Sequence, residues 1–568
     1  MCGIWLFYDQ TSETTLDYHY QAFHKIMHRG PDAWRLEADA KVNSLVVGFH
    51  RLAIIDRLNG MQPMRLQRYP HLTLIANGEI YNYKELFADG KFNQETYCDV
   101  EVILHLFAQG GITHCIKQLD GEFAFCLIDA EKNRLYIVRD PFGVRPLFTL
   151  QSNSGFLGVC SEAKGLTPLL NSIPDNNWVL QPFAPGYYES YDLGQTGRAK
   201  LIARKEFYSI GVSQPEFTSI VPESILAQNT IAENIRQLLT VAVKKRMMSE
   251  RKIGCLLSGG LDSSLIAALL VKLGQETHLC YPLQTFSIGM GCSPDIIAAR
   301  QVAEYLGTEH HEIIFDEMDV ANVLDDVIYS VETADITTIR ASVAMYLLAR
   351  YIKNHTEATV IFSGEGSDEL AQGYIYFRDA PDASAAHHES IRLLRNIYLY
   401  DGLRADRTTA AHGLELRLPF LDQQFTAYYL SLSPKSRQPN QGIEKYLLRS
   451  AFDGQALLPE EILWRHKEAL SDGVASIKKS LFQVIQEHIQ SKVTVDQLQT
   501  AVQNFSHCPP KTKEALYYRY QLEKNFPNLA HQLMPAYWMP RWVQVDDPSA
   551  RFITHYTTDY KKQVATVA

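Results

Sequence analysis

The first 150 residues carry the hydrophobic pattern of short strands joined by turns. Apolar, β-rich stretches are bounded by Asn, Gly or Asp, and five of them fall at 2–8, 45–49, 72–76, 123–128 and 135–138. The region also predicts two helices, one of them within 99–109, where apolar residues recur at helical spacing (Val100, Ile103, Leu104 and Phe107). We therefore predict an α+β domain with antiparallel β layers and helices.

The pattern changes beyond residue 224, where strands alternate with helices. We predict strands at 252–257, 283–289, 310–315 and 358–362, and helices at 233–248, 294–306 and 320–332. This alternation is typical of an α/β domain with a doubly wound parallel sheet, which binds ligands at the carboxyl ends of its strands. After Asp379 the chain is predicted to be mainly helical.

The junction between the two patterns is marked by Pro and Gly clustered between 182 and 222. We place the first domain at 2–204, a linker at 205–224, the second domain at 225–545 and a carboxy-terminal tail at 546–568. The tail has no clear period, which predicts poor order at its end.

Composition and charge exclude several classes of partner. Lys and Arg number 54 against 64 Asp and Glu, so the formal charge is −10 and nucleic acid is not expected as the main partner. No apolar run approaches the roughly 20 residues of a spanning helix, so no membrane segment is predicted. The nine cysteines form no C-x-x-C pair, and no leader precedes Cys2, which together predict reduced thiols and a cytoplasmic location.

One of these cysteines directly follows the initiator methionine. Loss of Met1 would leave Cys2 with both a thiol and a free α-amine. Such an amine titrates at about 7.7 to 8.0, so it can take the thiol proton and later deliver it to a leaving amine. A bare Met-Cys start is more often an ordinary terminal cysteine, so the neighbouring motifs decide between the two interpretations.

Five neighbouring motifs favour a nucleophile. In chain order they are His28-Arg29-Gly30-Pro31-Asp32, Gly48-Phe49-His50-Arg51-Leu52, Asn77-Gly78-Glu79-Ile80-Tyr81-Asn82, Leu119-Asp120-Gly121-Glu122-Phe123-Ala124 and Arg139-Asp140-Pro141-Phe142-Gly143. Together with Cys2 they resemble the class II glutamine amidotransferase domain, which cuts glutamine to glutamate and ammonia. The resemblance implies an N-terminal-nucleophile hydrolase fold with Cys2 as its nucleophile.

The same resemblance implies the residues of a glutamine pocket. The Asn77 side chain and the Gly78 backbone N–H would stabilise the oxyanion. Arg51 would bind the α-carboxylate of glutamine through its planar fork, and Asp99 would bind the α-ammonium. The pocket would be completed by Glu79 and by the backbone of Leu52, Ala53, Ile54 and Ile55.

A Ser-Gly loop follows the predicted strand at 252–257. It reads Ser258-Gly259-Gly260-Leu261-Asp262-Ser263-Ser264 and leads into a helix, so its N–H groups and hydroxyls form a cradle for an anion. It is not a Walker A loop, because no Gly-Lys-Ser/Thr follows. Asp262 would repel phosphate unless a cation lay between them, which predicts Mg²⁺. The loop resembles that of the ATP pyrophosphatases, which release AMP and pyrophosphate.

A second Ser-Gly loop follows the predicted strand at 358–362. It reads Ser363-Gly364-Glu365-Gly366-Ser367-Asp368-Glu369-Leu370, and Asp368 is a second candidate for binding Mg²⁺. With these loops the chain resembles the glutamine-hydrolysing asparagine synthetase family, of the animal type, along nearly its entire length. Further matching segments lie at 335–340, 403–407, 416–422, 464–468, 537–540 and 547–551.

This resemblance implies the residues of a synthetase site. Aspartate would be held by Thr337, Thr338 and Arg340, and Lys467 would offset charge on phosphate. Glu365 would serve the formation of β-aspartyl-AMP and its attack by ammonia, either as a base or by pairing with a cation, and the sequence leaves both roles open. ATP would contact Leu256, Ser258, Gly259, Gly260, Asp262, Ser263, Ser264, Ile288, Ser363 and Gly364.

The implied activity is ATP- and Mg²⁺-dependent synthesis of L-asparagine from L-aspartate, with glutamine as the nitrogen donor and internal transfer of ammonia. A β-lactam synthetase is disfavoured by the amino-terminal Cys2, and a sugar-directed amidotransferase by the pyrophosphate loop. A non-catalytic protein that kept the fold would be free to lose these polar residues, all of which are present. The expected partners are small molecules, and the oligomeric state is left open, with a homodimer as one alternative.

Overall fold

The computed structural model of the protein describes residues 1–9, 16–88, 90, 92–172, 177–194, 198–216, 221–291, 293–466, 474 and 479–549. Two compact units are distinguished. Unit 1 consists of Met1–Ile220, Lys245–Lys252 and Thr409–Leu416. Unit 2 consists of Val221–Lys244, Ile253–Thr408 and the described part of Arg417–Ala568. The boundary after Ile220 falls inside the predicted linker at 205–224, and the predicted tail lies outside the described residues from 550 onward.

The strands follow in chain order. They are β1 Gly3–Tyr8, β2 Ala33–Ala38, β3 Leu45–Arg51, β4 Leu72–Ile80, β5 Gly121–Asp129, β6 Arg134–Arg139, β7 Phe148–Ser152, β8 Leu157–Cys160, β9 Trp178–Pro182, β10 Tyr187–Asp192, β11 Lys200–Glu206, β12 Lys252–Leu256, β13 Gln284–Gly289, β14 Glu309–Ile314, β15 Ala358–Phe362 and β16 Glu415–Arg417.

The helices are α1 Leu16–His24, α2 Tyr83–Ala88, α3 Glu101–Gln118, α4 Glu223–Gln228, α5 Ile231–Lys245, α6 Leu261–Glu276, α7 Pro294–Leu306, α8 Glu317–Val331, α9 Ile336–His355, α10 Ser367–Leu370, α11 Ala383–Asn396, α12 Asp401–Ala410, α13 Gln423–Ser431, α14 Pro434–Arg437, α15 Tyr446–Phe452, α16 Glu460–Leu463, α17 Leu481–Gln490, α18 Val495–Asn504, α19 Lys513–Asn525 and α20 Ala530–Leu533. Short 3-10 helices lie at Met27–Arg29, Ala163–Gly165, Thr167–Ser172, Ile375–Asp379, Ile397–Leu399 and Pro419–Leu421. Within the described ranges, no helix is both long and apolar enough to cross a membrane.

Unit 1 is a sandwich of two antiparallel sheets. Their strand orders are β2-β3-β1-β8-β7-β9 and β11-β10-β6-β5-β4. Because side chains alternate along a strand, Ile75 and Cys126 pack into the core between the sheets. Their neighbours Leu74 and Phe125 pack into a second core with helix α3. The first sheet is covered by α1, whose Phe23 side chain fits closely over a glycine of β3. The predicted α+β arrangement is confirmed.

Unit 2 is built on the neighbouring strands β14, β13, β12 and β15 of one sheet. β12 runs parallel to β13, and β13 runs parallel to β14. Helices α6 and α7 follow β12 and β13, as expected for strand–helix–strand connections. The predicted parallel sheet and the helical part after Asp379 are confirmed.

Candidate active sites

The Cys2 thiol lies at the end of β3 in unit 1. Cys2 precedes β1, which pairs with β3 so that Gly3 lies opposite His50. Its Sγ is 3.4 Å from the Leu52 backbone N and 3.5 Å from the Leu52 carbonyl oxygen. Burial raises the pKa of this thiol to about 11, although the positive amino terminus opposes the shift. At neutral pH the thiol therefore needs a base to become a nucleophile.

The amino group of the chain is buried beside this thiol. The Met1 nitrogen lies 3.4 Å from the Leu414 carbonyl oxygen and 4.0 Å from a Glu415 carboxylate oxygen. Burial lowers the pKa of this amine to about 6, with Glu415 opposing the shift. The Arg29 Nε donates to the Cys2 carbonyl at 3.0 Å and so fixes the backbone here. An amine in these surroundings is mostly neutral at pH 7 and can accept a proton.

Asn77 and Gly78 lie on β4, where the fold leaves an amide without a partner. Asn77 is fully buried, and neither its side-chain nitrogen nor its oxygen has a hydrogen-bond partner among the described residues. A buried amide without partners is costly, so this one is suited to a ligand. Gly78 has φ +141°, and a Cβ there would stand 2.0 Å from the Glu122 carbonyl oxygen on β5. Only glycine therefore fits beside Asn77.

The segment that follows β3 forms a fixed loop beside the thiol. Arg51 ends the strand, and its guanidinium donates to the carbonyl oxygens of Asp56 and, at 3.2 Å, of Arg57. The Ala53 backbone N donates to an Asp32 carboxylate oxygen at 2.8 Å. These contacts hold the rest of the predicted stretch in place, namely Leu52, Ile54 and Ile55.

Three charged residues predicted for glutamine act electrostatically on the buried Cys98 thiol. Burial raises the pKa of Cys98, the charges of Asp99 and Glu79 add to the shift, and Arg51 opposes it. The three groups are thus close enough to act on one atom. The Asp99 Oδ2 also accepts a hydrogen bond from the Ile80 N–H at 2.6 Å, which ties it to the end of β4.

A cavity of about 270 Å³ opens in unit 2 at the carboxyl ends of β13, β12 and β15. This is the edge where a doubly wound sheet binds its ligand. Predicted site residues that line it are Leu256, Ser258, Gly260, Asp262, Ser263, Ile288, Thr337, Arg340, Ser363, Gly364, Glu365 and Asp368. Gly259, Ser264 and Thr338 do not line the cavity, and Lys467 lies outside the described residues.

Both Ser-Gly loops are packed tightly against their surroundings. Gly259 has φ +73°, and a Cβ there would stand 2.5 Å from the backbone of Ala298 on α7. A Cβ on Gly364 would stand 2.8 Å from the Ser263 backbone N, so the second loop rests directly on the first. The Ser263 Oγ lies 3.1 Å from the Ser258 Oγ, which turns both hydroxyls toward the start of α6.

The two candidate magnesium ligands, Asp262 and Asp368, both contact the ammonium group of Lys445. The Lys445 ammonium contacts the Asp262 carboxylate and lies 2.6 Å from the Asp368 Oδ1. The Ser367 Oγ donates to the other Asp262 oxygen at 2.7 Å. Two carboxylates that share a cation fit Mg²⁺, which takes one or two protein carboxylates and completes its shell with phosphate and water. Among the described residues no group of three or more His, Cys, Asp or Glu could hold a metal by itself.

Glu365 is paired with a guanidinium. Its carboxylate oxygens accept from Arg404 at 3.0 and 3.1 Å, and Arg404 also donates to Asp401 at 2.5 Å. Burial raises the pKa of Glu365, and Arg404 opposes that shift. A cation thus lies beside Glu365, as the second of its two predicted roles requires.

The residues predicted for aspartate lie at the start of α9. The Thr337 Oγ1 is buried, lines the cavity and has no hydrogen-bond partner in the part of the chain that is described. Thr338 instead takes part in the helix cap, because its N–H and its hydroxyl both donate to the carboxylate of the capping residue Asp335. Arg340 lines the cavity, but its guanidinium is engaged by carboxylates of the chain itself.

The charged residues that line this cavity and were not predicted as site residues include Lys445, Arg404 and Asp401. Arg404 lies in a segment noted only as part of the resemblance, while Lys445 and Asp401 belong to no motif. Lys445 lies 183 positions from Asp262 along the chain, so only the fold brings the two together.

Comparison with known proteins finds a matching family model for each of the two parts of the chain. The model of the glutamine amidotransferase domain matches residues 1–189, and the asparagine synthase model matches residues 234–385 and 378–545. Asparagine synthetase [glutamine-hydrolyzing] of Gallus gallus is 51% identical over 563 residues, which are 98% of this chain and 99% of the relative. The protein of the same name from Homo sapiens is 49% identical over 572 residues, 99% and 100% of the two chains. The chain therefore belongs to the family of glutamine-hydrolysing asparagine synthetases.

Proposed function

We propose that this enzyme makes L-asparagine from L-aspartate, ATP and glutamine, and that it releases AMP, pyrophosphate and glutamate. One observation carries the proposal: each unit holds polar groups suited to one half of the reaction. Unit 1 holds the Cys2 thiol and the Asn77 amide without a partner. Unit 2 holds the anion cradle at 258–264 with the carboxylates of Asp262 and Asp368 at its cavity.

The glutaminase half begins once Met1 has been removed and Cys2 carries the free α-amine. The neutral amine takes the thiol proton, and Sγ attacks the carboxamide carbon of glutamine. The Asn77 side-chain N–H and the Gly78 backbone N–H stabilise the oxyanion. The C–N bond then breaks, the amine returns the proton to the departing ammonia, and water hydrolyses the thioester to glutamate. A free α-amine titrates at about 7.7 to 8.0, which supports this choice of base.

Glutamine is held by charge at its backbone end. Arg51 binds the α-carboxylate, while Asp99 binds the α-ammonium and Glu79 adds to the negative side of the pocket. Backbone groups of 52–55 complete the site beside the thiol. The electrostatic action of all three charged side chains on Cys98 supports this arrangement.

Ammonia then passes inside the protein to the synthetase site. In water at neutral pH most ammonia is protonated, and only the neutral form attacks a carbonyl. An enclosed apolar route favours the neutral form, because an unpaired ammonium ion is costly to bury.

In the synthetase half, the β-carboxylate of aspartate attacks the α-phosphorus of ATP. The bond to the bridging oxygen breaks, pyrophosphate leaves, and β-aspartyl-AMP forms. Ammonia attacks the activated carbonyl, loses a proton and displaces AMP. The loop at 258–264 and Lys445 stabilise the phosphates, as does Lys467, while Thr337, Thr338 and Arg340 hold aspartate. Glu365 serves the formation of β-aspartyl-AMP and its attack by ammonia, and the pair with Arg404 supports this role by keeping its charge in place.

Adenine is held by the strand ends, through Leu256 and Ile288 and the backbone of Ser363 and Gly364. Asp262 and Asp368 would hold Mg²⁺, which when bound neutralises charge on the phosphate oxygens.

The two proposed domains comprise residues 2–204 and 225–545, and the proposed location of the enzyme is the cytoplasm. The free cysteines of the described residues support that location. Light scattering would separate the homodimer from a monomer.

The products of one incubation test this proposal. With aspartate, ATP, Mg²⁺ and glutamine, we expect asparagine, glutamate, AMP and pyrophosphate in equal amounts. Omission of aspartate should stop pyrophosphate release. Formation of ADP and phosphate, or pyrophosphate release without aspartate, would contradict the proposed reaction.

A further inference from the structure

Arg340, one of the residues proposed for aspartate, has both edges of its guanidinium occupied. Nε and one terminal nitrogen donate to Glu514 at 2.7 and 2.6 Å. The two terminal nitrogens donate to Asp547 at 3.0 and 2.7 Å, and one of them also donates to the Ser549 Oγ at 3.1 Å. A guanidinium binds a carboxylate through one such edge. A substrate carboxylate can therefore reach Arg340 only if one of the two partners leaves.

The two partners differ in how firmly they are held. The Glu514 side chain is fully buried and also accepts hydrogen bonds from Tyr518, at 2.8 Å, and from Gln486. The Asp547 side chain is 13% exposed, and its other hydrogen bonds come from its near neighbour Ser549. Glu514 thus fixes the orientation of Arg340, while Asp547 is the partner that can be displaced.

Asp547 belongs to a carboxy-terminal segment that is attached to the same helix at two points. Upstream, the Trp538 backbone N donates to the Asp335 carboxylate at the start of α9, at 2.7 Å. Downstream, Asp547 binds Arg340 on the first turns of that helix. Trp538 and Ser549 both line the cavity, so the segment forms part of its wall.

The charges favour exchange of Asp547 for another carboxylate. Arg340 carries one positive charge and faces two negative ones, so no further anion is favoured while both remain. Burial alone would raise the pKa of Asp547, but its contacts with Arg340 lower it, so the group is ionised at neutral pH. A carboxylate of aspartate that replaced it would keep the local charge unchanged.

We propose that the segment at 544–549 is an intramolecular competitor for aspartate, in which the Asp547 carboxylate occupies Arg340 until the substrate carboxylate replaces it. The inference rests on the proposed aspartate site. Because the segment must leave before aspartate binds, the apparent affinity for aspartate depends on the fraction of molecules in which the segment has been released. The segment thereby selects for a substrate whose carboxylate can displace that of Asp547.

The test is Asp547→Asn, with ammonium as the nitrogen donor so that the glutaminase half is bypassed. Loss of the charge weakens the contact with Arg340, and we expect the KM for aspartate to fall by about three- to tenfold. The KM for ATP should change less than about twofold. Asp546→Asn is the matched control, because Asp546 is exposed, pairs with Lys511 and lies one residue away. Its KM for aspartate should equal that of the unchanged protein.

A second measurement does not depend on turnover. Aspartate added with an ATP analogue that cannot be cleaved at the α-phosphate should speed hydrogen exchange at 544–549 in the unaltered protein. A higher KM in Asp547→Asn, or slower exchange with aspartate, would show that the segment closes over the site instead. An unchanged KM would show that Asp547 does not compete with aspartate. Each of these results would overturn the proposal. If the unaltered protein makes no asparagine, the proposed function fails; if it does and Asp547→Asn behaves as the control, only this inference fails.

Discussion

Asn77 shows how a single side chain can reveal a ligand site. Its amide is fully buried, yet it has no hydrogen-bond partner in the part of the chain that is described. The sequence motif predicted the residue, and the structure adds the reason to expect a ligand there. The positive φ of Gly78 and its approach to β5 keep the backbone of this strand in one position.

Replacement of Asn77 by Ala should therefore damage one half of the reaction. Loss of an oxyanion donor lowers kcat by about 10²- to 10³-fold, so glutamine hydrolysis should fall by that factor. Ammonium-dependent asparagine formation in the same preparation is the internal control and should change by less than about twofold. An Asn77→Ala protein with normal glutamine turnover would remove Asn77 from the oxyanion site.

At the scale of elements, local signals explain which helices could be predicted. Helix α7 was predicted at 294–306 and is found at those bounds, because Ser293 caps its start, Pro294 occupies its first turn and Gly307 ends it in the left-handed conformation. Helix α9 was not predicted as a helix. Its buried residues lie on several faces, so it has no clear apolar period.

The site residues that could be predicted are likewise those that lie in contiguous motifs, and those that could not be predicted are brought together from distant parts of the chain. The Cys2 and Ser-Gly motifs are contiguous, so the sequence predicted them. The Arg404–Glu365 and Lys445–Asp262 pairs are formed between distant segments, and no local pattern reports such contacts. For the same reason the engagement of Arg340 by Asp547 could not be expected from the sequence.

The sandwich of unit 1 should lose stability in mild acid. Burial lowers the pKa of His19 and of His50 to about 4, whereas unfolded histidines titrate near about 6.5. Their contribution is thus fully present above pH 6.5 and is lost as the pH falls toward 4. At pH 5 the loss is about 1–2 kcal/mol for each residue.

Chemical denaturation of the full-length protein at pH 7.5 and at pH 5 checks this expectation. The His19→Gln variant cannot take up the proton, so its free energy of unfolding should fall less between the two pH values than that of the unaltered protein. An equal fall in both proteins would show that His19 is not the titrating group.

At the scale of the whole molecule, the residues of each half-reaction are grouped within one compact unit. The described glutaminase residues all lie in unit 1, and the described synthetase residues all lie in unit 2. Unit 1 also includes two segments from later in the chain, Lys245–Lys252 and Thr409–Leu416, and the second of these brings Glu415 to the buried amine. The two chemistries should therefore be separable by substitution.

The most direct test of the two-site account is asparagine formation by Cys2→Ala, measured once with glutamine and once with ammonium. Removal of the thiol abolishes the only nucleophile proposed for glutamine, while the synthetase cavity of unit 2 is untouched. We predict no detectable glutamine-dependent synthesis and ammonium-dependent synthesis close to that of the unaltered protein. Equal loss of both activities in a folded Cys2→Ala protein, or glutamine-dependent synthesis that survives without the thiol, would contradict the account.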